Sequence, residues 1–120
     1  MKPAVLRVDE IGWIEPPGHH RSAWSKLLVH PANTGTAHFD FRLSSYQPGG
    51  YAEPHMHAEA ENIFFFLEGR GVFELGDARH LVEPGMVIFV PPGVTHAIYN
   101  TSTQPLTFVF AASPPHDMPL

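Results

Sequence analysis

The sequence contains no cysteine. That excludes a disulfide scaffold, a thiolate nucleophile and Cys-type zinc sites, and leaves histidine and the carboxylates as the strong metal ligands. Charge is scarce as well: Asp, Glu, Lys and Arg make up 16% of residues, and the formal net charge is -5. The seven Lys and Arg residues are scattered rather than clustered, so the chain lacks the basic surface that a phosphate backbone requires, and no nucleic-acid partner is expected. Long apolar runs are missing too. The opening stretch MKPAVLRVDEIGWIEPPG meets a charge or a proline every few residues, too often for a membrane span or a signal-peptide core. The expectation is a soluble, cytoplasmic protein with no membrane partner.

What is present is punctuation, aromatic content and histidine: thirteen Pro, ten Gly, nine Phe and nine His in 120 residues. Apolar residues at 43% suffice to bury one core, and the length fits one domain over 1–120. Runs of β-branched and aromatic residues between turn signals predict short strands near 4–8, 25–30, 36–44, 51–56, 62–68, 70–75, 78–82, 86–90, 94–100 and 105–111. Only Ala58–Asn62 has helical local propensity. Glu68-Gly69-Arg70-Gly71 and Leu75-Gly76-Asp77-Ala78 read as tight hairpin turns. Within 36–44, Ala37, Phe39, Phe41 and Leu43 alternate with Thr36, His38, Asp40 and Arg42; this period of two predicts an apolar inner face and a solvated outer one. So many short strands and almost no helix predict an all-β sandwich or jelly-roll barrel.

Two segments carry chemistry. In GGYAEPHMHAEAENIFFFLEG, His55 and His57 stand two apart behind a proline; in extended chain they share a face, roughly 6.5–7 Å apart along the strand, and both can reach one ion at about 2.1 Å. In GMVIFVPPGVTHAIYN, the Pro91-Pro92-Gly93 turn delivers His96 at the start of a strand. By alternation Tyr51 and Glu53 lie on the His55 face, where they qualify as pocket acid, base or hydrogen-bond donors. The ordinary reading of Phe64, Phe65 and Phe66 is core packing. His19, His20, His30, His80 and His116 read as loop or surface residues.

With these residues in place, the chain resembles the cupin family, and specifically its small single-barrel members. The second cupin motif is matched in full by Gly85, Pro91, Gly93, His96 and Asn100, and the first by Gly49, His55, His57 and Gly69. The resemblance spans 49–69 and 85–100 directly and implies a double-stranded β-helix, or cupin jelly-roll barrel. It further implies a divalent metal ion (Fe, Mn, Zn or Ni) held by His55, His57 and His96, a small-molecule ligand or substrate, and a homodimer in which N-terminal strands pair across the interface. One departure stands out. Cupins usually place a metal-binding Glu seven residues before the glycine that closes the first motif, and here that position is Asn62. Asn62 offers a neutral carbonyl oxygen, a weaker ligand than carboxylate; Glu61, on the opposite strand face, is the alternative. A three-His face without a carboxylate favours anionic ligands on the ion. The expected function is a metal-dependent enzyme of dioxygenase, isomerase or lyase type, with a non-catalytic barrel binding or sensing a sugar or organic acid as the alternative.

Overall fold

The computed structural model describes residues 1–117, in which the chain forms β1 (His19–His20), β2 (Ala23–Val29), β3 (Asp40–Tyr46), β4 (Tyr51–His55), β5 (Glu61–Glu68), β6 (Gly71–Leu75), β7 (Ala78–Val82), β8 (Val87–Val90), β9 (His96–Tyr99) and β10 (Leu106–Ser113). A four-residue helix α1 (Pro31–Thr34) and two 3-10 turns, Val8–Glu10 and Pro115–Asp117, complete it. The strands form two five-stranded antiparallel sheets, β1-β4-β9-β6-β7 and β2-β3-β10-β5-β8. Long crossovers set β4 beside β9 and β3 beside β10. This is a double-stranded β-helix barrel, as the strand pattern predicts.

Alternation in β5 and β10 turns Phe64, Phe66, Phe108 and Phe110 inward. Phe66 and Phe108 meet at 5.2 Å between ring centroids, and Phe64 and Phe73 at 5.0 Å. Truncating any one of these to Ala is worth about 3–5 kcal/mol of stability. Phe64, Phe108 and Phe110 also line a cavity inside the barrel, beside His55.

Several expectations need correction. Residues 4–8 form no strand; Ala4–Val8 are exposed, and Val8 begins a 3-10 turn. Ala58–Asn62 is not helical, because β10 claims the backbone of β5 from Glu61 onward and the Asp117 carboxylate takes the N–H groups of Glu59 and Ala60. Glu68–Gly71 is not a hairpin: β5 and β6 belong to different sheets, and the chain crosses between them at Gly69, where a Cβ would stand 2.1 Å from the Pro105 carbonyl oxygen. By contrast, β6 and β7 do pair across the Leu75–Ala78 turn.

The fourth correction matters most for function. β3 has the alternation expected of it, but the faces are reversed: Asp40, Arg42, Ser44 and Tyr46 are buried, while Phe39 is 57% exposed. The barrel interior at this end is a cavity, and the polar face of β3 is its wall. His30, read as a surface residue, is buried as well; its Nδ1 accepts the Ala32 N–H at the start of α1, and its Nε2 lies 3.9 Å from Asp40.

Candidate metal centre

His55 is the last residue of β4, and His57 lies just beyond it in the loop leading to β5. His96 opens β9 and stands opposite His55 in the β4–β9 register. The ring centroids of the pairs His55–His96, His55–His57 and His57–His96 are 4.3, 5.0 and 5.5 Å apart. One ring nitrogen from each residue falls within 4.8 Å of the others.

The orientation of the rings follows from the backbone. Nδ1 of His55 donates to the Glu53 carbonyl at 2.7 Å, Nδ1 of His57 to the Asp117 carbonyl at 3.2 Å, and Nδ1 of His96 to the Val94 carbonyl at 3.0 Å. A carbonyl can only accept, so each Nδ1 carries the proton and each Nε2 keeps its lone pair. Burial pushes the His96 pKa down to about 4, and the positive charge that His55 and His57 would carry pushes the same way. Burial lowers the His57 pKa too. Near neutral pH these two imidazoles are uncharged, the form a metal ion requires.

Asn62 lies on the inner face of β5, with Nδ2 at 3.3 Å from His96 Nε2, while Glu61 is exposed on the outer face. Two buried atoms here, His57 Nε2 and Asn62 Oδ1, have no hydrogen-bond partner among the described residues. Such orphans typically cost about 1–3 kcal/mol each. Three imidazoles and an amide oxygen fit a divalent cation, which would satisfy both orphans.

Two adjoining cavities open beside the triad. One, of about 40 Å³, runs into the barrel past Ser44, Tyr46, Ala52 and Phe64; the other, of about 230 Å³, is walled by Pro17, Gly18, Glu53 and His57. His19, Arg42 and His55 line both. Burial raises the Tyr46 pKa, so its phenol stays protonated.

Glu53 reaches the cavity rim, with a carboxylate oxygen 3.3 Å from His20 Nε2. Tyr51 lines neither cavity; it stacks on Tyr99 at 5.8 Å and lies 5.0 Å from the His20 ring. An irregularity between Ala52 and His55 breaks the alternation, so that Ala52 shares the inner cavity with His55. Asn100, the last residue of the second motif, is a structural clamp: its amide donates to the Tyr46 and Gln104 carbonyls at 2.8 Å each, and its oxygen accepts from Ser102.

His19 and Arg42 are the site residues that sequence reasoning missed. His19 belongs to a two-residue strand whose partner, β4, is more than thirty positions away, and no local pattern marks such a strand. Its Nδ1 donates to the Pro17 carbonyl at 3.0 Å, which leaves Nε2 unprotonated, and burial lowers its pKa. Arg42 was legible only as an alternating polar residue, and hydropathy assigned its face to the outside.

The model of the Cupin domain family matches residues 42–112, more than half of the chain. The chain belongs to the cupin family. Relatives of this cupin include a glucose-6-phosphate isomerase of Thermococcus onnurineus, 33% identical over 96% of this chain and 59% of the relative. A glucose-6-phosphate isomerase of Thermococcus litoralis is 36% identical over 96% of this chain and 56% of the relative. The chain thus spans little more than half the length of these curated relatives. Among solved structures, a predicted oxalate decarboxylase of Thermotoga maritima superposes with a TM-score of 0.81 at 25% identity, covering 92% of this chain and 98% of that one. Among the described residues no helix is long and apolar enough to cross a membrane.

Proposed function

We propose that this cupin is a divalent-metal-dependent enzyme acting on a small polar or anionic substrate through a site formed by His55, His57 and His96. One observation carries the reading: three imidazoles whose Nδ1 protons are tied to backbone carbonyls, so that three Nε2 lone pairs converge on one region. Fe, Mn, Zn or Ni fits this donor set, with Asn62 as a weak fourth ligand. When bound, such an ion supplies Lewis acidity toward a carbonyl or carboxylate oxygen.

The remaining roles fall to the chain. Phe64 and Ile98 close the inner cavity against water. His19, neutral and with Nε2 unprotonated, is placed to accept a proton from a ligand in either cavity. Glu53, at the rim, is placed to exchange protons with solvent through the His20 pair. This inventory suits proton-transfer chemistry of isomerase or lyase type better than dioxygenase chemistry, and the similarity to glucose-6-phosphate isomerases supports that order.

The test is elemental analysis of untagged protein, followed by assays on sugar phosphates and small dicarboxylates with and without EDTA. Turnover that EDTA abolishes and added metal restores is the expected result. Turnover indifferent to EDTA in protein without metal would overturn the proposal.

For the assembly we infer a homodimer in the cytoplasm. No N-terminal strand supports it; the outer face of the β3-β10-β5-β8 sheet does. Phe41, Ala111, Ile63 and Phe89 form one cross-strand row, and Leu43, Val109, Phe65 and Val87 the next. A contiguous, partly exposed apolar surface of this kind suits a second copy of itself.

A further inference from the structure

The lining of the inner cavity is mixed. Phe64, Ile98, Phe108 and Phe110 make part of it apolar, and Ser25, Ser44 and Tyr46 bring three hydroxyls to it. Ser44 and Tyr46 stand two apart on the inward face of β3, and Ser25 on β2 is the register partner of Ser44. The Ser25 and Ser44 hydroxyls lie 2.8 Å apart, and both residues are buried. One donates to the other, which leaves the second hydroxyl proton without an acceptor among the described residues. Tyr46 repeats the pattern. Its ring meets Phe108 at 5.1 Å and His19 at 5.8 Å, both edge-on, and its backbone carbonyl accepts from Asn100. Its hydroxyl has no hydrogen-bond partner among the described residues, although the residue is only 1% exposed. Unlike the sealed His57 Nε2 and Asn62 Oδ1, this oxygen is open to the cavity. Burial keeps the phenol protonated, and therefore a donor.

We propose that Tyr46, together with the Ser25–Ser44 pair, forms a subsite for a short, uncharged, oxygen-bearing end of the ligand, such as a hydroxymethyl or carbonyl group. Donors held in an apolar cavity without acceptors select an acceptor, because an unmet hydroxyl there costs free energy that a ligand oxygen recovers. Size sets the length of the group. The inner cavity measures about 40 Å³ against about 230 Å³ for the outer one, which is room for roughly three heavy atoms. The body of the ligand therefore stays in the outer cavity, beside His55, which lines both. Charge sets its type. The Arg42 guanidinium on this wall is paired with Asp40 at 2.8 and 2.7 Å, and burial holds His19 uncharged near neutral pH. A carboxylate pushed in among hydroxyls and phenyl rings loses far more hydration than a hydroxyl does. The inference deepens the functional reading above; it rests on that reading for the ligand's approach to the triad and not for the uptake of metal.

The experiment is isothermal titration of the full chain with 4-hydroxybutyrate, butyrate and succinate, which share a chain and one carboxylate and end in a hydroxyl, a methyl and a second carboxylate. Each is titrated into EDTA-treated protein and into protein carrying one equivalent of zinc. The wild type should bind 4-hydroxybutyrate at least fivefold more tightly than either of the others. In Tyr46→Phe, which removes one oxygen and keeps the ring, the preference over butyrate should fall below twofold while butyrate affinity holds; a merely structural role would shift all three acids together. Ser44→Ala should lower the same preference, and this variant decides should Tyr46→Phe fail to fold. Equal affinity for the hydroxyl and methyl ends, tighter binding of succinate, a preference undiminished in the variants, or no binding by any of the three overturns the proposal. A Tyr46-dependent preference in a protein that takes up no zinc would remove the metal reading and leave the subsite standing. Zinc uptake with all three acids bound alike would do the reverse.

Discussion

The main-chain carbonyl of Asp117 accepts the Nδ1 proton of His57 at 3.2 Å, across 60 positions of sequence. The Asp117 carboxylate accepts the N–H groups of Glu59 and Ala60 at 2.6 and 2.8 Å, and these two bonds hold its pKa below the usual carboxylate range. The 3-10 turn after β10 thus fixes the loop that carries His57, one of the three candidate metal ligands. Asp117→Ala should weaken zinc binding about tenfold, the lower end of what removing support from a metal ligand costs. Asp117→Asn, whose amide oxygen still accepts, should recover part of the loss. Equal affinity in all three proteins, measured by competition with a chelator, would take Asp117 out of the site's support.

Replacing a ligand should cost more than replacing its support. His55→Ala and His96→Ala should each lower metal affinity by at least tenfold. Elemental analysis showing wild-type stoichiometry in both variants would end the three-His assignment.

Asn62→Glu places a carboxylate where Asn62 Nδ2 now stands 3.3 Å from His96 Nε2. The variant should bind divalent metal more tightly than the wild type, because an anionic oxygen replaces a neutral one. Without metal it should be less stable, since the new carboxylate is buried without a cation. Calorimetry showing no gain in affinity would mean that position 62 does not reach the ion.

In metal-free protein, the His96 pKa of about 4 lies below its ordinary value of 6.5. The unfolded chain therefore takes up this proton first as pH falls. The contribution of His96 is fully present above pH 6.5 and drains away as pH drops toward about 4. Urea midpoints measured at pH 7 and pH 5 should fall, and the fall should be smaller in His96→Ala. An identical pH dependence in the two proteins would contradict this assignment.

Phe65→Glu and Phe89→Glu place charge on the outer face of the β3-β10-β5-β8 sheet, away from the cavity. If two copies meet there, light scattering should show the wild type at twice the 13.3 kDa chain mass and the variants at that mass. A monomeric wild type would dispose of the homodimer.

The strands and the triad were legible because both are written in local pattern: period two, turn residues, and His at spacings that fixed backbone geometry makes meaningful. β3 shows where such reading stops. Alternation in Asp40–Tyr46 announces two faces, but hydropathy ranks Phe41 as the inner residue, whereas the barrel turns Arg42 inward. A strand whose inner face lines a cavity instead of a packed core inverts the usual rule. His19 was invisible for another reason, since its place by His55 depends on pairing between segments more than thirty residues apart. Ala58–Asn62 failed through tertiary override: the Asp117 carboxylate and the β10 ladder outweigh local helical preference.

All three imidazoles are held by peptide carbonyls, those of Glu53, Val94 and Asp117. The alignment of the ligands is therefore a property of the path of the main chain, indifferent to which side chains hang from positions 53 and 94. Those positions are free to change as a lineage, or a designer, explores new ligands, and the geometry of the triad need not be retuned at each step. This barrel is built so that its cavity lining can drift while the three imidazoles stay put.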